Sequence, residues 1–163
     1  MSSQKGLVIT VDLKYINYDI TFQELPNMVA LTFWVSNCPN RCKGCHMPEL
    51  REDIGKPLTY DSIAPVIEEY RPHIDAICFL GHGTEAQSED FIYMVTSVRL
   101  NYKNLLIGLY SGFDKILDKF KDVVDFYKVG RYIKEKGGLD SPGTNQRMYR
   151  RFGGNLVDVT HEF

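Results

Sequence analysis

Cys38, Cys42 and Cys45 stand in C-x3-C-x2-C spacing inside the run Ser36 to Pro48, S-N-C-P-N-R-C-K-G-C-H-M-P. Three thiolates delivered by one short loop can hold three corners of a cubane iron–sulfur cluster, whereas a fourth would close it into an electron-transfer centre. Three leave one iron with an open position, which is what a substrate needs. The same residues spell other chemistries. Cys42-Lys43-Gly44-Cys45-His46 is the haem c pattern C-x-x-C-H. That attachment is made outside the cytoplasm, and the chain starts M-S-S-Q-K-G with no apolar leader segment, so a cytoplasmic protein without haem is expected. Cys38, Cys42, Cys45 and His46 have the ligand types of structural zinc, although neighbours such as Cys45 and His46 rarely reach one tetrahedral ion. A thioredoxin-like pair of Cys42 and Cys45 leaves Cys38 unexplained, and disulfides do not suit a cytosolic chain. Cluster ligation is favoured, with a non-catalytic zinc or iron–sulfur binding module as the alternative from another class. His46 reads as a loop residue lining the cluster, and Cys78, inside an apolar run, as a small buried hydrophobe.

The elements that must position this loop follow from patterning. At 163 residues one domain is expected, with a core at about 28–130 and a tail at 131–163. Apolar and charged fractions of 44% and 25% are those of an ordinary globular protein. The net charge of −2 gives no electrostatic reason to expect nucleic acid, despite Arg147, Arg150 and Arg151, and no run is long enough to span a membrane. Gly6–Leu13 is β-rich and Tyr15–Phe22 a further short strand. Met28–Val35 is nearly all apolar, as a strand buried on both faces should be, and the cysteine loop follows it. A helix capped by Thr59 or Asp61 runs to about Tyr70, with Pro65 near its first turn. Ile74–Leu80 is a buried strand ending in a glycine-rich turn. Phe91–Leu100 reads as helix, Leu105–Tyr110 as strand, Ser111 or Asp114 to Phe120 as helix, and Val123–Val129 as strand. Alternating strands and helices predict parallel strands with right-handed crossovers. Four or five such units are too few for a closed eight-unit barrel, which leaves an open partial (β/α) barrel or a small doubly wound sheet.

The cysteine loop after a first buried strand resembles the radical S-adenosylmethionine (SAM) superfamily. With Gly44 before the third cysteine, C-P-N-R-C-K-G-C-H is similar to the activating proteins of anaerobic ribonucleoside-triphosphate reductase. A distant second match, Ser141-Pro142-Gly143-Thr144-Asn145-Gln146-Arg147, resembles that family's C-terminal G-S/T-x-N-Q-R signature. The resemblance runs from about Val29 to Tyr149. It implies an α/β fold, a partial (open) parallel (β/α) barrel with irregular N- and C-terminal extensions.

By that resemblance, Cys38, Cys42 and Cys45 ligate a [4Fe-4S] cluster whose open iron takes the amino and carboxylate groups of SAM. No catalytic residue is expected beyond cluster and SAM. Gly81, His82, Gly83 and Glu85 stand where the superfamily has a G-G-E/D segment at the methionine amino group, with His82 in place of the second glycine and the acid displaced to Glu85. Tyr110 and Ser111, followed by Gly112, resemble the family's Y-T/S-G segment and imply a nucleoside or methionine contact. Asn145, Gln146 and Arg147 would support the SAM site or meet the partner. The implied activity is abstraction of a hydrogen atom from a glycine of the reductase large subunit, fed by a flavodoxin or ferredoxin type donor, and a homodimer is left open. A radical SAM enzyme acting on another protein, a peptide or a small molecule is the nearer alternative.

Overall fold

In the computed structural model residues 13–82 and 85–163 are described, apart from the side chains of residues 82 and 85–87. The expected strand over Gly6–Leu13 falls almost wholly outside the described residues. Eight strands form a single mixed sheet: β1 Lys14–Thr21, β2 Ala30–Val35, β3 Lys56–Pro57, β4 Ala76–His82, β5 Leu106–Ser111, β6 Phe126–Val129, β7 Arg147–Phe152 and β8 Asn155–Asp158. Their spatial order is β3-β1-β2-β4-β5-β6-β7-β8. The central four, β2, β4, β5 and β6, are parallel, while β1, β3, β7 and β8 join antiparallel at the edges.

This corrects the expected open (β/α) barrel. The described residues hold only two α-helices, α1 Tyr60–Tyr70 and α2 Glu85–Asn101. The helix expected from Ser111 or Asp114 to Phe120 does not form; a 3-10 turn at Asp118–Phe120 stands in its place. The tail is not an irregular extension either, because β7 pairs with β6 and turns back into β8. The physical reason lies in patterning: β7, RMYRRF, shows only one fully buried residue, Met148, and a strand buried on one side only gives little hydrophobic signal.

Side-chain alternation along the parallel strands separates two faces. Leu31, Phe33 and Val35 of β2, Ile77 and Phe79 of β4, Ile107 and Leu109 of β5 and Tyr127 of β6 pack with Ile63 and Ile67 of α1 and Phe91, Val95 and Val98 of α2. Phe33 and Phe79 stack with ring centroids 5.7 Å apart. Helix α1 starts at a capping box in which Ser62 N donates to Thr59 Oγ1 (3.1 Å) and Thr59 N to Ser62 Oγ (3.0 Å). That start puts Pro65 inside the helix rather than in its first turn. The other face buries Leu25, Ala30, Ala76, Cys78, Phe126, Met148 and Val159, and loops rather than helices cover it. Asp125 ties the far end together: it accepts from Ile107 N (2.9 Å) and Arg151 Nη2 (3.0 Å) and pairs with Arg99.

Candidate functional site

Register lines up one side chain from each parallel strand on the loop-covered face. Trp34 pairs with Leu80, Leu80 with Tyr110 and Tyr110 with Lys128. This row lies toward the C-terminal ends of the strands, where parallel sheets gather ligands. The cysteine loop leaves β2 one residue past it and folds back over it.

Hydrogen bonds to the segment after the loop hold it in place. Cys38 N donates to Leu50 O (2.8 Å), Ser36 Oγ to Ile54 O (2.7 Å) and Arg51 Nη2 to Cys42 O (2.6 Å). Two glycines make room, one for a neighbouring backbone and one for a side chain of the cysteine loop. Gly81 has φ +118°, and a Cβ there would lie 2.3 Å from Val35 O. A Cβ on Gly112 would stand 1.8 Å from Asn40 Nδ2 of the cysteine loop. Gly81 therefore permits close approach of β4 to β2, and it also lines the cavity beside the cysteine loop.

Cys38, Cys42 and Cys45 carry free thiols and line one cavity of about 510 Å³. Trp34, Leu80, Gly81, Tyr110, Ser111 and Gln146 line it too, together with Arg51, Lys128 and Arg131. Of the expected contact residues, the cavity thus gathers the three cysteines, Gly81, Tyr110 and Ser111. Gly83 and the side chains of His82 and Glu85 lie outside the described residues. Gln146 reaches the cavity from the distant tail motif, whereas Asn145 turns its Nδ2 to Arg131 O (3.1 Å) and Arg147 pairs loosely with Asp158 (3.9 Å). His46 lines the cavity with its ring 5.6 Å from that of Tyr132. Cys78 sits one row deeper, fully buried among Leu25, Ala76 and Phe126.

Lys128 is the residue that sequence reasoning missed. It is 8% exposed inside a strand of otherwise apolar buried residues, and its Nζ donates to Gly130 O (2.6 Å) and, at 3.5 Å, to Ser111 O. No carboxylate pairs with it among the described ion pairs. Burial holds its ammonium down to about 8, and the three cysteines oppose that shift. A lysine in the strand F-Y-K-V was itself the available signal, since an unpaired buried cation asks for an anion. Glu24 was missed too. Burial raises its carboxyl, against the lowering influence of the nearby Tyr110 hydroxyl, which donates to Glu24 O (2.5 Å).

These residues fit an iron–sulfur cluster. The three thiols share one cavity with three cations, Arg51, Lys128 and Arg131. Burial pushes the Cys38 thiol up, while the Asn40 backbone and Lys128 pull it back. Metal binding requires the thiolates, so cations beside them favour loading.

A family model described as a 4Fe-4S single cluster domain matches residues 28–142, from just before β2 through the cysteine loop and β6 into the tail. No curated protein and no solved structure matches the chain.

Proposed function

The chain belongs to the 4Fe-4S single cluster domain family, which is found in radical SAM-related proteins, and from that premise we propose that it is a radical SAM activating enzyme. Its substrate is a glycine of anaerobic ribonucleoside-triphosphate reductase, from which it removes a hydrogen atom to leave a stored glycyl radical. One observation carries the reading: two motifs far apart in sequence, the three cysteines and Gln146, meet at a single cavity with room for a second molecule. Cys38, Cys42 and Cys45 would hold the cluster. A bound cluster, reduced by its donor, would supply the one electron for reductive cleavage of the sulfonium carbon–sulfur bond of SAM.

The chain's own residues bind, orient and exclude water. Lys128, Arg51 and Arg131 put positive charge where a net-negative cluster and a methionine carboxylate would gather. Tyr110 and Ser111 present a ring and the C-terminal end of β5 to the nucleoside or methionine part. Tyr132, packed on His46, covers the loop from the tail side. A flavodoxin or ferredoxin is the proposed donor.

Anaerobically reconstituted protein with dithionite and SAM is expected to release 5′-deoxyadenosine, and a glycyl radical signal should appear when the reductase is added. Failure to form 5′-deoxyadenosine, with or without reductase, contradicts the proposal.

A further inference from the structure

Arg51 and Lys128 line the cysteine cavity with no carboxylate partner among the described ion pairs, and they reach it from different parts of the fold. Arg51 ends the 3-10 turn Pro48–Arg51 that follows the cysteine loop, and its Nη2 donates to Cys42 O (2.6 Å). Its Nε is buried and has no hydrogen-bond partner among the described residues. Lys128 comes from β6, buried in the sheet, and its Nζ is held by the carbonyls of Gly130 and Ser111. Arg131 lines the same cavity but is exposed.

Carbonyl oxygens fix where these two charges stand and do not neutralise them. A buried cation is costly unless an anion comes to it, and a charged donor left unpaired in the interior adds to that cost. A cluster on three thiolates is net negative before reduction and more so after it gains an electron. Its potential responds to nearby charge, to hydrogen bonds to its sulfurs and to solvent exposure. Lys128 offers a charge shielded from water. Arg51 offers a charge that it does not lose by deprotonation, together with an Nε–H left over for a sulfur. The charge of Arg131 faces solvent and is screened.

We propose that Arg51 and Lys128 set the reduction potential of the cluster, Arg51 by offering Nε–H to one of its sulfurs and Lys128 as a buried charge, an assignment that rests on the cysteines holding a cluster and not on SAM cleavage. The step is the addition of one electron from the donor to the oxidised cluster, with no bond made or broken. Both cations stabilise the added negative charge and so raise the potential. These two residues thereby decide how weak a reductant can still charge the centre.

Cluster-loaded parent and variants, each checked for about four irons per chain, are titrated reductively with redox mediators at neutral pH and without SAM, and the reduced cluster is followed by electron paramagnetic resonance. In Lys128→Met and in Arg51→Met the ratio of reduced to oxidised cluster at a fixed potential should fall about tenfold, a shift of about 59 mV to more negative values for a one-electron couple. Lys128→Arg keeps the charge and should return most of that loss, whereas a purely structural role would leave both Lys128 variants shifted alike. Arg131→Met should shift the potential least, and its shift should fade as salt rises. Unchanged potentials in Lys128→Met and Arg51→Met, or a Lys128→Arg potential as low as that of Lys128→Met, overturn the proposal. If Arg51→Met fails to load iron, the two Lys128 variants decide alone. The same samples are assayed for 5′-deoxyadenosine after SAM is added. Shifted potentials without release overturn the activating reading and keep the two cations in their role; release with unshifted potentials does the reverse.

Discussion

Two faces of one sheet are built from alternate residues of the same strands, and they have little else in common. The face toward α1 and α2 is closed and apolar, with Phe33, Phe79, Ile107 and Leu109 fully buried. The opposite face carries Trp34, Leu80, Tyr110 and Lys128 in one register row and is covered by the cysteine loop and the tail. Crossover helices take one side of a singly ordered set of parallel strands, so only loops are left for the other. Loops leave cavities, and cavities admit cations, thiols and ligands that a packed helix face would reject. Stability and chemistry are thus expected to reside on different faces.

Substitutions on each side should keep to that division. The largest effect belongs to Cys42→Ala: iron content after anaerobic reconstitution should fall from about four per chain to a small residue. The metal-free variant should unfold within about 0.5 kcal/mol of the parent, since Cys42 is only partly buried. Cluster retention would break the assignment of the loop. Next comes Phe79→Ala on the helix face, which should cost about 3–5 kcal/mol in denaturant unfolding while folded protein still loads iron fully. Loss of iron from material that remains folded would erase the division between faces.

Lys128→Met sharpens the comparison by removing the one buried lysine or arginine among the described residues. In metal-free protein the folded-state value of about 8 lies below the ordinary 10.5. The cost of burying the charge is therefore fully present below pH 8 and is relieved as pH rises toward 10.5. Relative to the methionine variant, the parent should gain about 3 kcal/mol across that window. A flat difference between pH 7 and 10 would contradict a charged buried lysine. The smallest effect is expected at Cys78→Ala, about 1 kcal/mol with iron content unchanged. Loss of iron there would make Cys78 a ligand and undo the contrast between the two rows of that face.

Much of the layout was legible in residue order. Met28–Val35, Ile74–Leu80 and Leu105–Tyr110 are apolar runs of strand length, and each overlaps an observed parallel strand. Of the two expected caps, Thr59 rather than Asp61 opens α1, and Ser62 completes the capping box. Phe91–Leu100 marks only the apolar part of α2, because its first turn, Glu85 onward, is polar. Ser111–Phe120 misled: its capping-like start is used instead by Ser111 Oγ accepting from Phe113 N (3.1 Å), a local turn that ends the strand without opening a helix. The hairpin of β7 and β8 was hidden because it packs one side only. Within the site, the cysteines and Gln146 announced themselves by motif, while Lys128 and Glu24 acquire meaning only when register and loop closure bring them to the cavity wall.

The most direct test is the electron paramagnetic resonance spectrum of the dithionite-reduced, iron-loaded protein before and after SAM is added. A reduced-cluster signal that changes shape with SAM, on protein holding about four irons per chain, is the expected result. Zinc in place of iron, or a cluster spectrum identical with and without SAM, would contradict the claim that the cysteine cavity unites a cluster and SAM in one site.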